Sequence, residues 1–232
     1  MGPFELVAEM GGRFSKALGI DLSSGKSGEI FKWLIASMLF GARISVGVAE
    51  KTYRCFERHE VLSVETVQKS GWEGLVSILD EGGYTRYDFS TATKFLTVCD
   101  NLERHYAGDL NVLHSEAIDQ KDLEQRLEGL SKGIGPVTAG IFLREMRGVW
   151  EKAKPLPLDP VLQSARSLGY IPWNLSDREE ALRLLEKAWG NANEFADFEA
   201  ALVRWAKRKL DSGPTCSTVK KQEPEPILKK GS

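Results

Sequence analysis

One segment of the chain combines residue types that can hold a phosphate group. Within Leu130–Gly140, Gly133 and Gly135 flank Ile134, and Pro136 follows them. Glycine lets a backbone turn tightly and pass close to another molecule, while Ile134 is predicted to point into the protein. Pro136 suits the first turn of a helix, where its lack of an N–H costs nothing. The unpaired N–H groups of the turn and of that helix start then converge, which predicts an anion site.

A lone acid follows this segment. Asp159 directly precedes Pro160, at the predicted start of a further helix. The proline-rich stretch before it, from Lys152, must cross the protein as an extended loop. A carboxylate in that place can act on a bound molecule, or it can simply cap the helix. The glycines can likewise serve a plain helical hairpin, so local sequence alone leaves the functional and structural interpretations open.

Helices must position these residues, because apolar residues recur at helical spacing and no alternating run is long enough for a sheet. Asp119 is predicted to cap the helix before the glycines, and the helix after them continues through Met146. Gly28–Phe40 is predicted to be a strongly apolar helix, central to the core. A second predicted helix is capped by Ser63 and runs toward Ser70, a third starts at Pro160, and a fourth is opened by a capping box at Ser176–Glu179. The remaining predicted helices are Val46–Arg58, Trp72–Leu79, Phe89–Tyr106 and Glu194–Leu210.

The composition limits the possible partners. The 232 residues are 42% hydrophobic and 28% charged, which is typical of a soluble globular protein. A net charge of −2 argues against a generally cationic nucleic-acid binder, so any DNA contact must be a local basic surface. No stretch approaches the roughly 18 apolar residues of a membrane span, and no signal-peptide pattern opens the chain. We therefore expect an intracellular protein, in the cytoplasm or nucleoid, or in a nucleus, with no membrane contact.

Cysteine and histidine spacing predicts no metal and no cofactor. Neither a Cys-x-x-Cys pair nor a His-x-x-x-His pair occurs, and four cysteines for zinc or an iron–sulfur cluster are lacking. The cysteines are expected to be reduced thiols and the histidines to be surface or helix-end residues. They are Cys55, Cys99 and Cys216, and His59, His105 and His114.

Four segments, taken in order, resemble the helix-hairpin-helix DNA glycosylase superfamily, which contains endonuclease III. They are Leu34–Arg43, Gly82–Arg86, Gly133–Ala139 and Leu158–Pro160, and the resemblance covers roughly residues 30–168. It implies an all-α fold of two domains with double-stranded DNA in the cleft between them, and we expect a monomer.

The resemblance also implies where the domains begin and end. Residues 30–144 would form the central domain, with the helix-hairpin-helix at 119–148, and residues 1–29 would join 145–210 in the second domain. Residues 211–232 lose apolar periodicity, which predicts a disordered tail. Its lysine pairs, at 220–221 and 229–230, could touch DNA weakly, although a solvated terminus is the simpler interpretation.

By the same resemblance, each site residue receives a role. Asp159 would be the catalytic carboxylate of a DNA repair enzyme that removes a damaged or mismatched, flipped-out base. DNA phosphate would contact the hairpin, and Arg144 could contact phosphate as well. The hairpin residues concerned are Lys132, Gly133, Gly135, Val137 and Thr138.

The chain departs from the family pattern at two places. Val137 stands where bifunctional members carry the lysine whose amine attacks the sugar, and the iron–sulfur cysteines are absent. The resemblance therefore points to a monofunctional glycosylase. Two alternatives stay open: a glycosylase and lyase that uses a displaced amine of Lys132, Lys152 or Lys154, or a non-catalytic DNA-binding protein with Asp159 as a helix cap.

Other residues could fill the gap left by a flipped base or stack on that base. Candidate wedge or pocket residues are Arg43 and Ile44, after the first core helix, and the glycine turn from Tyr84 to Arg86. Candidate stacking residues, although aromatics at these spacings are more often core, are Trp33, Tyr87, Trp150 and Trp173. The excised base stays open among mismatched uracil or thymine, alkylated purines, oxidised purines and mispaired adenine.

Overall fold

The computed structural model describes residues 1–190 and 194–211, with side chains through residue 209. In these residues the chain is helical, and its only β feature is an isolated bridge between Arg147 and Trp150. None of the helices in this part has both the length and the apolar character needed to cross a membrane. The predicted tail beyond residue 211, which includes Cys216 and the lysine pairs, lies outside the described residues.

Twelve α-helices and one short 3₁₀ turn make up the described chain. In order they are α1 (Pro3–Met10), α2 (Phe14–Ala17), the 3₁₀ turn (Leu22–Ser24), α3 (Ser27–Phe40), α4 (Val46–Arg58), α5 (Val64–Gly82), α6 (Asp88–Tyr106), α7 (Leu110–Glu116), α8 (Gln120–Gly129), α9 (Pro136–Glu145), α10 (Asp159–Ser167), α11 (Arg178–Trp189) and α12 (Phe195–Asp211).

Helix α3 lies at the centre of the core, as its apolar sequence predicted. Its residues from Ile30 to Leu39 are buried all round except Lys32, and α3 packs against α4, α7 and α9. Trp33 donates its indole N–H to the Phe142 carbonyl at 3.1 Å, which satisfies the buried nitrogen and ties α3 to α9. This bond makes Trp33 part of the core, so the stacking role considered for it is wrong.

Helices α5 and α6 form a packed pair beside α4. The backbone at Gly71 is not helical, with φ 67° and ψ −179°, so α5 consists of two helical segments on either side of residue 71, as the sequence predicted. Helix α5 ends at Gly82, and its C-cap Gly83, with a left-handed φ of 89°, starts the turn that leads through Tyr87 into α6. This turn therefore lies at one end of the α5 and α6 pair.

The two ends of the described chain meet. Helix α1 packs against α11 and α12, and α12 also packs against α9 and α10. The buried Glu145 carboxylate accepts the backbone N–H groups of Phe14 and Ser15, each at 2.8 Å, and so caps α2 from the end of α9. Asp197 accepts the Arg13 N–H at 2.8 Å. These bonds join the N-terminal segment to the C-terminal half, while the division into two domains stays a prediction.

Most helix starts follow the sequence signals. Asp119 accepts the Asp122 N–H at 2.8 Å, and Ser63 accepts the Thr66 N–H at 3.1 Å, so both predicted caps are confirmed. The capping box predicted to begin at Ser176 is wrong by one residue. Asp177 is the N-cap of α11, and its carboxylate accepts the backbone N–H groups of Glu179 and Glu180.

Candidate functional site

The glycine segment forms a tight turn between α8 and α9. Ile134 donates its N–H to the Ser131 carbonyl at 2.9 Å, and its side chain is buried. Gly133 has a φ of 119°, a conformation that only glycine adopts readily. Gly135 is the N-cap of α9 and Pro136 its first residue. The hairpin thus has the backbone that its sequence predicted.

The start of α9 leaves N–H groups available to a ligand. The first bond within the helix runs from the Ala139 N–H to the Gly135 carbonyl, at 3.0 Å. The N–H groups of Val137 and Thr138 come before it and have no acceptor within the helix. Gly135 has no side chain that could cap them, and Val137 is 56% exposed. This end of α9 therefore presents donors and the positive end of the helix dipole to solvent.

Helix α6 holds the hairpin in place. Asn101 donates its side-chain N–H to the Leu130 carbonyl at 2.9 Å. Nearer the start of α6, the Lys94 side chain crosses Gly133 so closely that a Cβ atom there would lie 2.6 Å from Lys94 Cε. Lys94 thus brings a cation to the turn. It was not among the sequence candidates, since only the packing of α6 on the hairpin reveals it.

A cavity of about 320 Å³ lies beside the hairpin. The hairpin forms one wall, the residues after α3 form another, and the α5–α6 turn with the start of α6 forms the third. The structure therefore brings Arg43 and Tyr84, two wedge candidates, to the hairpin. The lining residues are Met38, Gly41, Ala42, Arg43, Tyr84, Tyr87, Thr91, Lys94, Gly133, Ile134 and Thr138.

The wedge candidates differ in exposure. Arg43 and Arg86 are exposed and Ile44 is half-buried. Tyr84 is only 1% exposed, its ring packs edge-on to Tyr87 at 6.4 Å, and burial raises the pKa of its hydroxyl. A residue held in this way cannot enter a DNA duplex, so Tyr84 is wrong as a wedge, while its alternative role as a pocket residue stays a prediction.

Asp159 lies at the N-terminus of α10, as predicted, but it does not cap that helix. Leu158 is the N-cap, and Asp159 is the first helical residue with Pro160 after it. The Asp159 side chain is 72% exposed. Arg178 donates from Nη2 to Asp159 Oδ1 at 2.5 Å and from Nη1 to the Pro157 carbonyl at 2.5 Å. The interpretation of Asp159 as a simple cap is therefore wrong.

Close packing places Asp159 beside α9. Leu158 lies against Gly140, where an added Cβ atom would be 3.1 Å from Leu158 Cδ2. Gly140 is one turn along α9 from Val137, so the same helix carries the hairpin donors at its start and contacts the Asp159 loop one turn later. The hairpin and the carboxylate, separate in sequence, thus share one supporting helix.

Two further sequence candidates are buried. Arg144 is 4% exposed, pairs with Glu145 at 3.5 Å and lies over the Phe14 ring, so its predicted contact with phosphate is wrong. Trp150 is 4% exposed, stacks on His114 at 4.7 Å and donates its indole N–H to Asn111. Trp150 is therefore a core residue and cannot stack on a base.

The remaining candidates lie at the surface or close to it. Tyr87 is half-buried in the cavity wall, and Trp173 is 74% exposed in the segment between α10 and α11. Lys132 and Lys154 are exposed, whereas Lys152 donates to the His114 carbonyl at 2.8 Å. Within residues 1–190 and 194–209, no three metal-ligating side chains come together.

Sequence comparison finds no known protein-family profile and no curated protein that matches the chain. Structure comparison finds the 3-methyladenine DNA glycosylase MagIII of H. pylori, solved with bound 1,N6-ethenoadenine. The match has a TM-score of 0.54 and 15% sequence identity, and it covers 90% of this chain and 98% of the other. The chain therefore shares the fold of a DNA glycosylase, and the all-α fold implied by the sequence resemblance is confirmed.

Proposed function

We propose that this protein is a monofunctional DNA glycosylase, which hydrolyses the N-glycosidic bond of a damaged or mismatched base flipped out of duplex DNA. One observation carries the proposal. In a DNA glycosylase fold, helix α9 presents unpaired N–H groups at its start and packs one turn later against the loop of the exposed Asp159. A phosphate holder and a carboxylate on one support suit the removal of a base from DNA.

The proposed reaction uses Asp159 to stabilise charge. The bond between the base and sugar C1′ breaks, and the base leaves with the electron pair and takes up a proton. Positive charge builds on the deoxyribose, and a fixed carboxylate beside C1′ stabilises it. A water oxygen then bonds to C1′ and gives its proton to the Asp159 carboxylate or to solvent. The product is an abasic site in an intact strand.

The hairpin is proposed to hold the DNA backbone through donors that read no sequence. The backbone N–H groups of Val137 and Thr138 have no acceptor within α9, and Lys94 and Lys132 add positive charge. Thr138 offers only its N–H, because its hydroxyl packs so tightly on Gly41 that an added Cβ there would lie 2.3 Å away. Local contacts of this kind suit a protein whose net charge is −2.

Val137 supports removal of the base without strand cleavage. It is exposed at the position where the bifunctional relatives implied by the sequence carry an amine, and valine cannot form a Schiff base. Borohydride trapping on DNA with a lesion tests this directly. A covalent adduct would favour the bifunctional alternative, with exposed Lys132 or Lys154 as the displaced amine.

The substrate is tested with a panel of duplex oligonucleotides. Ethenoadenine comes first, since it is the base in the structure of the H. pylori enzyme. Uracil and thymine mismatches, oxidised guanine and mispaired adenine complete the panel, with base release scored before and after alkali. Cleavage that appears only after alkali supports a monofunctional glycosylase, and no release from any duplex contradicts the enzyme proposal.

A further inference from the structure

Arg178 is the residue that holds Asp159, and it was not among the sequence candidates. Its guanidinium spans two acceptors of one loop: the Pro157 carbonyl and Asp159 Oδ1, each at 2.5 Å. Arginine alone offers such a planar fork of donors. The fork fixes the carboxylate relative to the backbone that carries it.

The position of Arg178 in its own helix is unfavourable. It is the first residue of α11, directly after the Asp177 N-cap, where the helix dipole disfavours a cation. A residue type that is unfavourable for its position in a helix is often retained because it makes a favourable interaction elsewhere, commonly at a functional site. The bonds to Pro157 and Asp159 are such a gain. Since the pair is solvent-exposed, it contributes little to folding stability.

Without Arg178 the Asp159 side chain would be loosely held. Asp159 makes no capping hydrogen bond, and its side chain is 72% exposed. Arg178 occupies only Oδ1, and within the described residues Oδ2 has no hydrogen-bond partner. One oxygen is thus held while the other is left for the reacting sugar.

The Arg178 guanidinium does not cancel the negative charge around Asp159. Arg178 lines a cavity of about 180 Å³ whose other residues include Glu124 and Glu128 of α8. Glu124 and Glu128 thus line the same cavity as Arg178, whose guanidinium pairs with Asp159. The region keeps the net negative charge that a cationic transition state needs.

We propose that Arg178 is a positioning residue for Asp159: it holds the carboxylate by Oδ1 and leaves Oδ2 to face C1′. This inference rests on the proposed glycosylase activity. It differs from two other roles that Arg178 could have, a brake that neutralises Asp159 and a contact to DNA phosphate.

Kinetics on a substrate duplex separate these roles. In Arg178→Met we expect single-turnover base release to slow by about 10- to 100-fold, because a misplaced reacting group costs that much, while the Kd for DNA changes less than about threefold. Arg178→Lys keeps the charge without the fork and should recover part of the rate. Arg183→Met removes a more exposed arginine of the same helix, which pairs with Glu180, and should leave the rate unchanged.

The contrary outcomes are distinct. Unchanged or faster release in Arg178→Met would identify a brake and overturn the proposal. A weaker Kd at an unchanged rate would identify a DNA contact and overturn it as well. Thermal unfolding of each variant verifies that the proteins compared are folded.

A second measurement on the protein without DNA decides the matter independently of activity. Three-bond NMR couplings to Asp159 Cγ report its χ1 rotamer. We expect one rotamer in the native chain and averaging among rotamers in Arg178→Met. The same couplings in both proteins would overturn the positioning role. A native chain that releases no base would instead refute the proposed function, and the couplings would still test the role of Arg178.

Discussion

Replacing Gly133 with alanine should damage the hairpin in two ways. The φ of 119° at Gly133 lies in a region that alanine enters at a cost of about 1–3 kcal/mol. In addition, the new Cβ would lie 2.6 Å from Lys94 Cε and 3.3 Å from Lys94 Nζ. The flexible lysine can move away, so most of the stability loss comes from the backbone. This movement takes the Lys94 ammonium group away from the glycine turn between α8 and α9.

We therefore expect Gly133→Ala to lower the free energy of unfolding by about 1–3 kcal/mol. Its affinity for duplex DNA should fall about tenfold, because both the N–H donors and the Lys94 charge are displaced. Urea unfolding measures the first quantity, and fluorescence anisotropy with a labelled duplex at fixed salt measures the second.

Gly129→Ala is the matched control. Gly129 ends α8 only four residues earlier, and an added Cβ there meets nothing within 4 Å. A helical glycine replaced by alanine should stabilise the protein by about 0.5–1 kcal/mol and leave DNA affinity unchanged. If Gly133→Ala were as stable as the native chain, or bound DNA equally well, the reasoning about the hairpin would be refuted.

Three further variants test other parts of the account. Lys94→Met should weaken duplex binding several-fold and reduce the slope of log K against log salt by about 1, and an unchanged slope would exclude a phosphate contact. Val137→Lys places an amine on the exposed face of α9 and should produce a borohydride-trapped DNA adduct, and an adduct from the native chain would contradict the monofunctional assignment. Asp197→Asn should destabilise the protein by about 1–3 kcal/mol at neutral pH, as measured by urea unfolding.

The pH dependence of that last effect follows from the Asp197 pKa. Burial works to raise this pKa, but hydrogen bonds and charge from Arg13, with a bond from Lys16, hold it below its ordinary value. The ionised carboxylate therefore stabilises the fold above the unfolded pKa of about 4, and this contribution is lost as pH falls through the folded pKa. The native chain and Asp197→Asn should converge in stability as pH falls below the folded pKa of Asp197, and a constant difference would contradict this origin.

Local signals predicted those parts of the fold that depend on neighbouring residues. The apolar run of α3 predicted its central place, the side chains of Asp119 and Ser63 predicted two caps, and the glycines predicted the turn. Each of these features is decided by residues within a few positions of one another. The sequence was therefore sufficient for them.

Features that depend on tertiary packing were not predictable in this way. Arg144 looked like a phosphate contact because it follows the hairpin, yet the face of α9 that carries it packs on Phe14. Lys94 and Arg178 come to the site from other helices, so their place there depends on tertiary packing. Of these, only Arg178 carried a usable signal, since a cation at a helix start contradicts the helix dipole.

The most direct test of the account is base release by Asp159→Asn. Asparagine keeps the shape of the side chain and removes the charge that the transition state needs. On a duplex that the native chain processes, we predict a single-turnover rate at least about 100-fold lower, with DNA affinity and thermal unfolding unchanged. Asp177→Asn, at the N-cap of the neighbouring helix α11, should keep the native rate. Base release by Asp159→Asn at the native rate would contradict the central claim.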